Sequence, residues 1–241
     1  LPCRHAGHAL IDAHLHELAK GRALIGIMVK GFASVDDAVS AVREYQQAGV
    51  PVSVGLGAGD PAQWKKVAQV AVRTEPDHVN QVFPAAGYTL GALQAIGNSR
   101  TLVNALIAPS GQPGKVRITT GPKSEKAAEV LCCDAAAAML AEIGVHSDKF
   151  YPVNGVERLA EIKEMAQAAV RCGIPVFEPT GGIDAASIRP IVEVCLEAGV
   201  REVIPHIYTS IVDKETGLTR LEQVEELLAA LDAVWPRGTS R

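Results

Sequence analysis

The stretch "DKFYPVNGVERLAEIKEMAQAAVRCGIPVFEPTGGID", residues 148–184, decides how this chain folds. Its opening run, Asp148–Val153, carries Phe, Tyr and Val, residues suited to a buried strand. Val156–Cys172 then spaces its apolar residues at the helical period. Ile174–Pro179 is a second strand-length apolar run, and a Gly-Gly turn closes the stretch. A strand, a helix and a strand joined by short links require parallel strands with a right-handed crossover.

The same alternation extends outward in both directions. Strands are expected at Ala23–Lys30, Val50–Gly57, His78–Phe83 and Thr101–Ala108, with helices at Asp36–Ala48, Pro61–Val72 and Tyr88–Ile96. Lys115–Gly121 supplies a fifth strand after the Gly/Pro-rich loop Pro109–Gly114, and an Ala-rich helix, Glu125–Ile143, follows. Asp148–Val153 and Ile174–Pro179 are then the sixth and seventh strands. A helix at Ala185–Ala198, an eighth strand at Glu202–Tyr208 and a helix at Leu221–Val234 complete the series. Eight such units predict an α/β fold, a (β/α)8 TIM barrel over residues 23–241, preceded by a short N-terminal helical extension, 1–22. The link between strands four and five has no good helix, so a doubly wound open sheet is the alternative.

Composition agrees with this architecture. The chain has 241 residues, 48% hydrophobic and only 4% aromatic, which suits helices packed on a parallel sheet. A net charge of −4 without a long basic run argues against nucleic acid as a partner. No apolar run approaches the ~20 residues of a membrane span, so no membrane association is expected. The five cysteines are odd in number and form no CxxC pair, which argues against structural zinc and a disulfide framework. The first residues lack the basic start and long apolar run of a signal peptide, so the chain reads as cytoplasmic. Exposed apolar helix faces on barrels often pair, and a homo-oligomer is expected.

In a barrel, chemistry gathers at the C-terminal ends of the strands. Lys30, the loop Gly55–Asp60, Asn80, Asn104, Lys149, Glu178, the turn Pro179–Asp184 and His206 all fall there. Strand side chains alternate, so Lys149 and Glu178 can each point inward and meet in one cavity. A buried amine loses solvation and its pKa falls, and a neutral amine can attack a ketone to form a Schiff base. A neighbouring carboxylate can then move protons. A plain Lys149–Glu178 ion pair is the other reading. Gly181 and Gly182, between a strand and a helix, can present backbone N–H groups to an anion or can serve a steric turn.

"KFYP" followed by "PTGGI" resembles the lysine motif and glycine turn of the 2-keto-3-deoxy-6-phosphogluconate aldolases. "SVGLGAGDP", "HVNQVF", "EPTGGID" and "IPHIYTSIVDK" are similar to the branch of KDGP aldolases, over roughly Ala23 to Leu228. The resemblance implies a cofactor-free class I aldolase on a (β/α)8 barrel, acting on a small phosphorylated keto acid. It implies that Lys149 forms the imine and that Thr180, Gly181 and Gly182 bind substrate at its phosphate end. His206 falls where that end would also lie. The better-known members carry an acid/base glutamate at the end of the second strand, where this chain has "VSVGLGAGD" and no glutamate. Glu178 is expected to take that role, with Asp60 as the other candidate. The arginine that holds the substrate carboxylate has no clear match either. Its work is assigned to the glycine loop, Gly57 and Gly59, or to Lys30 or Arg117.

Two rival readings stand beside the aldolase. His14 and His16 form an HxH resembling the first metal motif of barrel amidohydrolases, although the further ligands are hard to find. No metal is assigned. The second rival is a barrel that binds a phosphorylated metabolite without catalysis.

Overall fold

A computed structural model describes residues 23–127 and 129–234. The N-terminal extension with His14 and His16 lies outside the described residues. Seven parallel strands form one curled sheet in the order β1 (Ile25–Met28), β2 (Val52–Gly55), β3 (His78–Val79), β4 (Leu102–Pro109), β7 (Ser147–Phe150), β8 (Val176–Pro179) and β9 (Glu202–Val203). Helices α1 (Val35–Gln47), α2 (Trp64–Thr74) and α3 (Phe83–Ala95) connect the first four strands, and α6 (Leu159–Arg171) and α7 (Ile188–Glu197) connect the last three. Helix α8 (Leu221–Val234) follows β9. The sheet curls into a half-barrel, with strands and helices in the expected βα alternation.

Two elements differ from expectation. Lys115–Arg117 forms β5, which pairs antiparallel with β4 and with β6 (Leu131–Cys132), off the main sheet. Strand β4 pairs directly with β7 instead. The short Ser110–Gly114 turn is the reason. A parallel return needs a crossover of a dozen or more residues, whereas a tight turn permits only a hairpin. Lys115 and Arg117 are exposed and only Val116 is buried, so this strand has one apolar side and cannot line a wall covered on both faces. The Ala-rich helix is likewise divided. It becomes a short α4 (Pro122–Ala127), then β6, then α5 (Cys133–Ile143).

The helices follow from local chemistry. Helix α1 begins with a reciprocal cap. The Ser34 hydroxyl accepts from the Asp37 amide at 3.1 Å, and the Asp37 carboxylate accepts from the Ser34 amide at 3.1 Å. Its buried side is Ala38, Val39, Ala41, Val42 and Tyr45, spaced three and four apart. Helix α5 ends at Gly144, whose φ of +81° suits a residue without Cβ. One apolar cluster runs from Ile27 to Leu227 between helices and sheet. Each fully buried Val, Leu or Ile in it contributes about 1.5–3 kcal/mol. No helix among the described residues is long and apolar enough to cross a membrane.

Candidate active site

The concave side of the sheet is polar where most parallel sheets are apolar. Lys149 on β7 lies in register with Glu178 on β8, and both face inward. The Glu178 side chain is fully buried and accepts three hydrogen bonds. His78 Nε2 lies 2.9 Å from Oε1, while His206 Nε2 and Asn104 Nδ2 each lie 2.7 Å from Oε2. Burial alone would push this carboxyl up, but the two histidines hold it well below the usual carboxylate range.

The ionised Glu178 settles the proton positions around it. A carboxylate only accepts, so both histidines donate from Nε2, and His206, whose pKa burial lowers to about 4, keeps a lone pair on Nδ1. His78 Nδ1 lies 2.8 Å from Ser53 Oγ, and Ser53 Oγ accepts from Asn80 Nδ2 at 2.9 Å. His206 Nδ1 lies 3.2 Å from Lys149 Nζ. Asn80 Oδ1 takes a second Lys149 hydrogen at 2.6 Å and one from Asn104 at 2.9 Å. The ring closes: Lys149, His206, Glu178, His78, Ser53, Asn80 and back to Lys149.

Burial lowers the Lys149 ammonium to about 8, against the opposing pull of the Glu178 carboxylate. Burial, with the charge of Lys149, brings His206 down to about 4. At neutral pH His206 is therefore uncharged, and Lys149 becomes a free amine as pH approaches 8. A neutral amine has two hydrogens. Asn80 Oδ1 and His206 Nδ1 engage both, which leaves the nitrogen lone pair as the one unassigned direction at Nζ.

The other expected residues divide into two groups. Thr180 bridges to His206, and its hydroxyl donates to the Glu178 carbonyl at 3.0 Å, at the edge of the network. Gly59 and Gly181 flank the Tyr151 ring: a Cβ on either would stand 3.1–3.2 Å from it. Both have positive φ, +68° and +103°, so a side chain would be strained as well as crowded. Gly182, at φ +67°, packs against the Asn154–Gly155 backbone, where a Cβ would stand 3.0 Å away. Gly57, at φ +90°, lies against Lys30. Lys30 and Asp60 are apart from the network and pair with each other at 3.1 Å on the rim. Asp60 also caps the following 3-10 turn through the Ala62 amide, and that bond and Lys30 lower its pKa. Arg117 lies exposed on the β5 hairpin, its guanidinium 3.4 Å from the Ser110 carbonyl.

Sequence reasoning placed Asn80 and Asn104 at strand ends but assigned them no role, and it gave His78 and Ser53 no part in the aldolase site. The available signal was a polar residue on the inward phase of each strand: Ser53 within "VSV", and His78 and Asn80 two apart. His78, Glu178 and His206 also bring three donor atoms within 4.8 Å, the one such grouping among the described residues. A cation there would displace both histidine–carboxylate hydrogen bonds.

Comparison with known proteins begins with the fold. N-(5'-phosphoribosyl)anthranilate isomerase from Pyrococcus furiosus superposes with a TM-score of 0.54 at 14% identity, covering 93% of this chain and 96% of its own. 3-Hexulose-6-phosphate synthase gives 0.54 at 13% identity, covering 92% and 94%. These likenesses define the class as an α/β barrel. Residues 8–215 match the KDGP aldolase family. A 2-dehydro-3-deoxy-phosphogluconate aldolase from Salmonella typhimurium (strain 14028s / SGSC 2262) is 42% identical over 221 residues, 91% of this chain and 90% of the relative. The chain belongs to the KDGP aldolase family and is an aldolase, a carbon–carbon lyase.

Proposed function

We propose that this aldolase cleaves 2-keto-3-deoxy-6-phosphogluconate, or a close epimer, to pyruvate and D-glyceraldehyde 3-phosphate through a Schiff base on Lys149. The observation that carries the reading is the state of that amine: lowered to about 8, with its two hydrogens held by Asn80 and His206. Such an amine loses its proton far more readily than an ordinary lysine, and in its free form attacks the C2 ketone. Amine, ketone and one proton give the iminium and one water. Loss of the C4 hydroxyl proton then breaks the C3–C4 bond, releases the aldehyde and leaves the bonding electrons in an enamine. Protonation at C3 and addition of water return pyruvate and the free lysine. The iminium is the electron sink, so the reaction draws on no cofactor.

Thr180, Gly181 and Gly182 are assigned to the phosphate end of the substrate, and the Gly57–Gly59 loop to its carboxylate. Glu178 serves the acid–base step from within the hydrogen-bonded ring. Borohydride reduction in the presence of pyruvate tests the reading. The protein should gain the mass of one reduced pyruvyl group on Lys149, and Lys149→Ala should lose both trapping and cleavage while remaining folded. Trapping that persists in Lys149→Ala sinks the assignment.

A further inference from the structure

Glu178 is the expected acid–base group, yet it has no line to a substrate. Its side chain is fully buried, and both oxygens are occupied by His78, His206 and Asn104. His206 stands between it and the amine. The His206 side chain is 20% exposed, with Nε2 on the carboxylate and Nδ1 toward Lys149.

We infer that His206 is the residue that carries the substrate proton, taking it from the C4 hydroxyl and delivering it to C3, and that Glu178 is a positioning residue acting through it. This rests on the Schiff-base reading above. The free amine donates one hydrogen to Asn80 Oδ1 at 2.6 Å and one to His206 Nδ1 at 3.2 Å. An iminium nitrogen keeps only one hydrogen. The shorter bond, to Asn80, retains it, and Asn80 Oδ1 is fixed by Asn104 Nδ2 as well. Imine formation thus removes the donor from His206 Nδ1 and exposes a basic lone pair beside the carbon chain it must deprotonate.

The proton balance closes. Nδ1 takes the C4 hydroxyl proton as C3–C4 breaks, and the imidazolium that forms stays hydrogen-bonded to the Glu178 carboxylate through Nε2. The aldehyde departs, and Nδ1 returns the same proton to C3 of the enamine. Glu178 holds the tautomer that leaves Nδ1 free, and His78 and Asn104 hold Glu178 in turn. This is the arrangement by which an acid orients a histidine base without itself touching substrate.

The test uses His206→Gln, whose amide can still donate to Glu178 and accept from Lys149 but cannot act as a base. Pyruvate is the probe, and exchange of its methyl protons in deuterated water is read against the amount of imine trapped by borohydride. The variant should trap pyruvate, while exchange per trapped imine and cleavage both fall by roughly 10²–10⁴-fold. In His206→Ala, added imidazole should restore part of the exchange. Exchange at the parent rate in His206→Gln overturns the inference. So does complete loss of trapping in a folded variant, which would place His206 in making the imine and not in moving the C3 proton. Failure of the parent protein itself to trap pyruvate would instead overturn the Schiff-base reading.

Discussion

Lys149 and Asp148 are neighbours on β7 and stand on opposite faces of the sheet. Lys149 faces the polar interior, where Asn80 and His206 receive both hydrogens of its neutral amine. Asp148 lies in register with Ala105 and Phe177, on the side that packs against helices, and neither of its carboxyl oxygens has a hydrogen-bond partner. Both side chains are driven toward neutrality by burial. Burial lowers the Lys149 amine to about 8, and burial together with the charge of Glu178 raises Asp148 well above its usual range. The same desolvation therefore yields an amine that readily loses its proton on one face and a cost to folding on the other. The difference lies in the partners. A neutral group inside a satisfied network is held for use, and a neutral group without partners only subtracts from stability.

The comparison is sharpened most by Glu178→Gln. This change removes the charge that holds the two histidines and leaves the side-chain volume intact. Turnover should fall by roughly 10²–10⁴-fold while Lys149 still forms some imine with pyruvate. Steady-state kinetics beside borohydride trapping separates the two, and unchanged turnover would detach Glu178 from the chemistry.

The pH profile of trapping comes next. Imine formation needs the free amine, and Lys149 titrates at about 8. The initial rate should rise about tenfold per pH unit below that value and level off above it. A profile still climbing steeply at pH 10 would show an ordinary exposed lysine.

Asp148→Asn addresses the opposite face. A carboxyl whose folded pKa lies above its unfolded value keeps a proton that the unfolded chain releases. Its cost to stability is therefore absent below the unfolded value near 4, and it grows as pH rises toward the folded one. Asparagine has no such charge to suppress. The variant should be more stable than the parent by about 1–3 kcal/mol at neutral pH, with the gap narrowing toward pH 4 and aldolase activity retained. Thermal melts at several pH values read this directly. A destabilised variant at neutral pH would mean that Asp148 is ionised and held by a partner.

The smallest effect belongs to the rim. Lys30 is 57% exposed in its pair with Asp60, so Lys30→Ala should cost less than about 1 kcal/mol and leave turnover within a few-fold. A large rise in the Michaelis constant would move Lys30 into substrate binding.

Local features of the chain made much of this legible. The period-2 alternation placed Lys149 and Glu178 on one face, and they do lie in register on adjacent strands. The βα rhythm identified the parallel strands, because a strand cannot join a parallel neighbour without a long crossover. It misread Lys115–Gly121, since a one-sided apolar strand after a tight turn differs from a wall strand mainly in where the chain has room to go.

By itself, then, the sequence determined the alternation of strands and helices, the inward phase of Lys149 and Glu178, and the family. Tertiary structure alone decided the ring of partners. His78 and Glu178 are 100 residues apart and meet because the sheet curls β3 toward β8. Lys30 pairs with Asp60 at the rim, and His206 came between the amine and the carboxylate. Periodicity states which face a side chain takes. Only the curvature and order of the whole sheet state which side chains that face brings within hydrogen-bonding distance, and those distances set whether a buried charge is stabilised, neutralised or put to use.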